Sequence, residues 1–202
     1  DFIPVFEENG LIVGLDEFMF REVCRQQREW IDQGRRAVPV SVNLSRYNIF
    51  YSSFINKYQD ILREYEISPK LVPLEITESV MSEDEVLLRN IIDELHSIGF
   101  SVLMDDFGTG YSSMTMLGSM PIDVLKLDKS FVDDIGDSKG EKIIRSIIDL
   151  SRGLGIRLTA EGVETEEQYE FLRKMKCDEI QGYYFAKPMP GSDFQALLNT
   201  EK

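Results

Sequence analysis

LMDDFGTG, residues 103–110, joins two signals that are seldom adjacent. A strand-like apolar run from Phe100 ends on two consecutive carboxylates, Asp105 and Asp106, and the chain then breaks at Gly108 and Gly110. The same grammar recurs on either side: SVNLS ends on Asn43, LEITES on Glu75, LKLD on Lys126, TAEGVET on Glu161 and IQGYYF on Gln181. Six short apolar runs thus each close on a metal-friendly or acid–base side chain. When parallel strands converge into a barrel, residues at their C-terminal ends meet on one face, where such proteins do their chemistry. The pattern predicts a fold and a site together.

Between these runs lie helical patterns. Asp16–Gln33 is amphipathic, with Phe18, Met19, Val23, Cys24, Trp30 and Ile31 as its apolar residues and Gly34 as its stop. VPVSVNL, residues 38–44, reads as a strand, 54–65 as a helix and LVPLEIT, residues 71–77, as a strand. Ser82 and Glu85 form a capping-box pattern ahead of Val86, Leu87, Leu88, Ile91, Ile92 and Leu95, and Gly99 closes that helix. A short segment at 112–117 precedes DVLKLD. Ile143, Ile144, Ile147 and Ile148 mark a helix ending near Gly153 and Gly155. Thr165 and Gln168 open another capped helix after IRLTAE, and DEIQGYYF, residues 178–185, reads as the last strand before a terminal helix.

Repeated β-then-α units imply an α/β fold with parallel strands joined by right-handed crossovers. Six strands are visible. A closed (β/α)8 TIM-like barrel has eight and about 250 residues, so the expectation is one domain over residues 1–202 that supplies six βα units, its first two strands lying upstream of residue 1. The opening DFIPVFEENG reads as the middle of a protein.

Composition narrows the function. The 202 residues are 43% hydrophobic and 29% charged, with a formal net charge of −14, which is neither disordered nor membrane-embedded. No apolar run approaches the roughly 20 residues of a spanning helix. The acidity argues against duplex nucleic acid, whose backbone is bound through clustered Lys and Arg. A small anionic substrate remains compatible if bound cations neutralise a carboxylate-lined cleft. Cys24 and Cys177 lack metal or disulfide spacing, so buried reduced thiols in a reducing, cytoplasmic compartment are expected. His96, the single histidine, is expected at the surface near a helix C-terminus.

Asn43, Glu75, Asp105 and Asp106 are hard oxygen donors, suited to Mg²⁺ or Mn²⁺ and not to Zn²⁺. Adjacent aspartates can bridge or divide between two ions about 3.5–4 Å apart, the arrangement used to hydrolyse phosphodiesters. Glu161 could complete the second ion's ligand set or accept a proton from water. Lys126, protonated among acids, could offset charge on the phosphate or position the water. Each residue also has a duller explanation. Asn43 could cap a turn, Glu75 and Glu78 could be a solvated strand end, and Asp105–Asp106 could form Asx turns. Lys126 and Asp128 could be an ion pair at the rim, and Glu161 and Glu164 could precede a helix. Six such coincidences at six successive strand ends are hard to sustain together.

The segments FIPVFEENGLI, SVNLS, LEITES, DDFGTGYSS, LKLDKSFV, AEGVET and QGYYFAKPMP resemble the EAL domain family of cyclic di-GMP-specific phosphodiesterases over nearly the whole chain. That resemblance implies an eight-stranded barrel, two Mg²⁺ or Mn²⁺ ions and hydrolysis of cyclic di-GMP to linear pGpG in bacterial second-messenger signalling. By motif it implies metal ligation by Asn43, Glu75, Asp105, Asp106 and Glu161, and a catalytic role for Lys126. Glu78 resembles the residue that steadies the DDFGTG loop, near which the family forms homodimers. Glu164 and Gln181 resemble residues that contact substrate or stand behind the ligands, and Asp128 is grouped with them. The family's name-giving Glu-Ala-Leu motif, with its metal-ligating glutamate and a following substrate-contacting arginine, lies on an upstream strand that this sequence does not include. An upstream sensory or GGDEF domain is the expected neighbour, and a parent anchored to the membrane through such a segment is compatible with the reading. Two other classes compete: an EAL domain without activity, serving as a cyclic di-GMP receptor or protein-interaction module, and an unrelated metal-dependent barrel enzyme such as an enolase-like proton abstractor.

Overall fold

Strand residues alternate between two faces, and here parity separates two kinds of surface. The computed structural model describes residues 3–49, 53–81, 84–108 and 114–198. Its six strands are β1 (Val42–Asn43), β2 (Leu74–Thr77), β3 (Val102–Phe107), β4 (Val124–Leu127), β5 (Arg157–Ala160) and β6 (Glu179–Ile180). They pair in sequence order, all parallel, into one sheet. Val42, Leu74, Ile76, Val102, Met104, Leu125, Leu127, Leu158 and Ala160 are buried on one face. Leu88, Ile92 and Leu95 of the helix Glu85–Ile98 and Ile144, Ile147 and Ile148 of the helix Ser138–Leu154 join them in a single core. Residues of the opposite parity, among them Ser41, Glu75, Leu103, Lys126, Thr159 and Gln181, line a cavity of about 370 Å³ on the inner face.

Six parallel strands wrapped by helices are the α/β barrel wall that the sequence predicts. Its curl is visible in one contact: Lys126 on β4 reaches Glu75 on β2 at 3.0 Å, across β3. Among the described residues β1 and β6 do not pair with each other. A second cavity of about 790 Å³ lies between them, bounded by Trp30, Val40, Ile180 and Phe194 among others.

Several elements depart from expectation for physical reasons. The first long helix runs Ile12–Asp32, four residues earlier than predicted, and buries Ile12, Asp16, Phe20, Cys24, Gln27 and Trp30. Phe18 and Met19 lie off that stripe and are exposed. The helix Glu85–Ile98 is capped by Asp84, whose carboxylate accepts from Leu87 N at 3.0 Å. Ser82, the predicted cap, lies outside the described residues. Val86 and Leu87 of that helix are exposed and do not join the core. Only two residues of the run 38–44 pair as strand, although Val40 N still reaches Leu71 O at 3.1 Å. The last run pairs only at Glu179–Ile180 because the chain turns at Gly182, where Phe185 N bonds Gly182 O at 3.1 Å. A Cβ at Gly182 would lie 2.1 Å from the carbonyl oxygen of Val163, so this turn presses backbone on backbone. Thr165 and Gln168 form the predicted capping box.

Candidate active site

Parity and register carry the candidate residues to one place. Asn43 sits opposite Glu75, and Thr77 opposite Asp105, in the parallel ladder. Lys126 lies opposite Thr159 on β5, two residues short of Glu161. The ammonium of Lys126 is the centre on which they converge: Glu75 Oε2 lies at 3.0 Å, Asp105 Oδ1 at 2.8 Å and Glu161 Oε1 at 2.9 Å. The Lys126 side chain is 8% exposed, and those of the three carboxylates between 9% and 18%.

Burial of this kind sets competing pulls on protonation. Desolvation works to lower the pKa of Lys126, but Glu75, then Asp105 and Glu161, outweigh it, and the net shift is upward. Lys126 is therefore a permanent cation near neutral pH. Glu161 is pushed up by its own burial, only partly opposed by the hydrogen bond from Lys126. Asp106 is raised by burial and then by Asp105 and Asp128.

Asp106 does not follow the parity of β3. Its φ is +58°, and the β3–β4 register shifts between Met104 and Phe107. Such an irregularity re-aims a side chain, so consecutive aspartates need not point to opposite faces. The turn that follows is held by Glu78, whose Oε2 accepts from Gly108 N at 2.7 Å. Gly108 has φ +100°, and a Cβ there would stand 2.1 Å from the Phe131 ring. Residues 109–113 of the DDFGTG loop lie outside the described residues.

The remaining candidates sit around the rim. Asp128 caps the short helix Lys129–Asp133, accepting from Ser130 N at 2.9 Å and Ser130 Oγ at 2.5 Å. Those bonds hold its carboxyl below the usual range. Glu164 is exposed and pairs with Lys129 at 2.9 Å. Gln181 ties β6 to β5 through its main chain, its N–H donating to Ala160 O at 2.8 Å and its carbonyl accepting from Val163 N at 3.1 Å. Its side chain lines both cavities.

The donor set suits a hard divalent ion, because every candidate ligand offers oxygen and three carboxylates already gather about one positive charge. Among the described residues no three His, Cys, Asp or Glu side chains are arranged to hold a metal ion as they stand. The point where Glu75, Asp105 and Glu161 meet is held by Lys126.

Two features of the site escaped the sequence reading. Ser41 donates to Glu75 Oε1 at 2.5 Å; its place two residues before Asn43, on the same face, was the available signal. Asp16 accepts from Ser45 N at 2.9 Å and from Asn48 Nδ2 at 3.2 Å, bracing the turn after β1. Neither cysteine takes part. Burial raises Cys24 to about 12 and Cys177 to about 11, so both are inert thiols. His96 is partly exposed and meets Asp123, the residue before β4, at 2.9 Å, away from the cluster.

This parallel α/β barrel wall with acidic strand ends defines the class of fold, and sequence comparison sharpens it. The EAL domain family model matches residues 1–188, and the chain belongs to that family. It is 36% identical over 198 residues to the bifunctional diguanylate cyclase/cyclic di-GMP phosphodiesterase MucR of Pseudomonas aeruginosa, covering 98% of this chain and 29% of that protein. The curated relatives it matches are several times longer, the chain spanning 29%, 25% and 23% of three of them. The solved MucR phosphodiesterase in complex with c-di-GMP superposes with a TM-score of 0.88 at 36% identity, over 96% of this chain and 78% of that one. A manganese/cy-diGMP complex of Klebsiella pneumoniae BlrP1 matches with a TM-score of 0.77 at 25% identity, over 89% of this chain and 44% of that one.

Proposed function

We propose that this chain belongs to the phosphodiesterase domain of a bacterial second-messenger enzyme, and that the parent protein, which would also supply the metal-ligating glutamate of the Glu-Ala-Leu motif, hydrolyses cyclic di-GMP to linear pGpG with two Mg²⁺ or Mn²⁺ ions. The observation that carries the reading is the convergence of Glu75, Asp105 and Glu161 on Lys126 at the strand ends. Relatives that act on or bind cyclic di-GMP, one of them with manganese, supply the substrate class and the metal.

Asn43, Glu75, Asp105, Asp106 and Glu161 would hold the ions. When bound, these would polarise the phosphate and lower the pKa of a water. Lys126, fixed as a cation, offsets negative charge on the scissile phosphate. Glu161, its pKa raised by burial, is the side chain suited to take a proton from the attacking water. Glu78 holds the turn at Gly108 and so the setting of Asp105 and Asp106. Gln181 and Glu164 would contact substrate or stand behind the ligands. Asp128 contributes by anchoring the helix after β4, with its negative charge close enough to be felt at Asp106.

The domain reading goes with this. One EAL domain occupies residues 1–202, and the side between β1 and β6, which do not pair with each other among the described residues, is where further strands would close the barrel. A homodimer near the DDFGTG loop, an upstream sensory or GGDEF domain and a cytoplasmic setting belong to the same proposal. No helix of the described residues is long and apolar enough to cross a membrane.

The test is pGpG formation by the full-length protein with and without divalent metal. Glu75→Gln or Lys126→Ala should each lower turnover at least about 100-fold, the usual cost of removing a group that stabilises transition-state charge. Full activity in either variant sinks the mechanism. Tight cyclic di-GMP binding without turnover would make the protein a receptor.

A further inference from the structure

We infer that Ser41 is a positioning residue that decides which oxygen of Glu75 faces the reacting centre, an inference that rests on the two-metal reading above. The two oxygens of Glu75 have different partners. Oε1 accepts the Ser41 hydroxyl proton at 2.5 Å, and Oε2 faces Lys126 at 3.0 Å, on the side where Asp105 and Glu161 gather. The carboxylate is therefore held at both ends, in one rotational setting.

The placement follows from the strand. Ser41 lies just before β1 and precedes Asn43 by two residues, so in extended chain its side chain falls on the same inner face, where it lines the cavity with Glu75. Asn43 lies opposite Glu75 in the ladder, and Ser41 stands one step below it. A hydroxyl donating to an ionised carboxylate makes a short, charge-assisted bond. Glu75 itself is 7% exposed but Ser41 is exposed, so loss of that donor would hand Oε1 to mobile water and free the carboxylate to rotate toward Lys126. An oxygen-ligating carboxylate depends on such a partner for its orientation, and removing the partner commonly costs 10- to 100-fold in metal affinity or activity.

The experiment is calorimetric Mn²⁺ binding to the full-length protein, alongside thermal unfolding in chelator and the kcat and KM for cyclic di-GMP. Ser41→Ala should weaken Mn²⁺ binding about tenfold and lower kcat at subsaturating metal, with KM for the nucleotide and the unfolding midpoint in chelator unchanged. Ser41→Thr keeps the hydroxyl and should restore binding to within about threefold of wild type. Ser41→Cys, a weaker donor of similar size, should fall between the two and remains informative if the alanine variant folds poorly. Mn²⁺ affinity within twofold of wild type in Ser41→Ala or Ser41→Cys overturns the inference, as does a threonine variant no better than alanine. A wild-type protein that binds Mn²⁺ and makes pGpG while Ser41→Ala matches it refutes only the role of Ser41. A wild-type protein that binds no Mn²⁺ refutes both readings.

Discussion

Lys126 shows how far a single side chain can be read from its neighbours. Taking an ammonium out of water is costly, and here the cost is offset because three carboxylates lie within 3.0 Å. Removing one member of a buried ion group leaves the others uncompensated, typically at 3–5 kcal/mol. Lys126→Met in chelator-treated protein should therefore lose about 3 kcal/mol of unfolding free energy in urea. A loss under about 1 kcal/mol would mean that the carboxylates spread apart and are hydrated. Gly108→Ala tests a different physical cause. Its positive φ and the Phe131 ring in the space of a new methyl should cost roughly 2–3 kcal/mol, and the hydrogen bond from Gly108 N to Glu78 would move with the turn. Unfolding of that variant with a wild-type midpoint would show that Phe131 yields easily. At this scale the sequence made most of the candidate site legible, because each candidate closes an apolar run. Asp106 was legible as a residue type but not as a direction, since its left-handed φ depends on the β3–β4 irregularity. Ser41 is not legible in the sequence because serine carries no charge, and only the distance to Glu75 reveals it.

Elements were legible where period and punctuation agreed. The helix Ser138–Leu154 has its apolar stripe and its closing Gly155, and the box at Thr165 and Gln168 forms as read. The buried stripe of the helix Ile12–Asp32 is not legible in the sequence because Phe18 and Met19 are apolar yet off it, whereas Asp16 and Gln27 are polar yet on it. A buried polar residue breaks a hydrophobic pattern while serving the fold. Asp16 is 5% exposed, and burial lifts its carboxyl above the ordinary value of 3.8, against the hydrogen bonds from Ser45 and Asn48 that pull it down. An acid raised in this way contributes stability that is complete below its unfolded pKa and lost as pH rises through the folded one. Asp16→Asn keeps an oxygen acceptor for Ser45 and Asn48 but cannot ionise. Its melting temperature relative to wild type should therefore rise as the pH is taken upward from the ordinary carboxyl range of about 4. A constant offset over that rise in pH would show that Asp16 does not titrate differently in the folded and unfolded chain.

Across the whole molecule the sequence conveyed the strand order and the inner face, because both follow from parity and from β-then-α alternation. It did not convey how short β1 and β6 would be, since pairing at those edges depends on neighbours that local pattern does not describe. Charge acts at this scale too. With a net charge of −14 the folded chain repels itself, while its exposed ion pairs, many of them one helical turn apart, such as Arg28–Asp32 and Arg173–Glu170, add little each. Salt screens both, and the excess of acids decides the sign. Raising NaCl from about 0.01 M to 0.15 M shortens the screening length from roughly 30 Å to 8 Å and should raise the melting temperature at pH 7.5 by a few degrees, about 1 kcal/mol for a chain of this size. Near pH 4.5, the isoelectric point, that rise should vanish. On the proposed two-metal reading, in which Glu75, Asp105 and Glu161 would hold divalent ions, MgCl₂ at equal ionic strength should stabilise further. Glu75→Gln should remove that excess while leaving the NaCl response intact. A melting temperature that falls with NaCl would show that the surface pairs outweigh the repulsion. Equal responses to both salts would mean that the acidic centre binds no divalent ion in the folded chain.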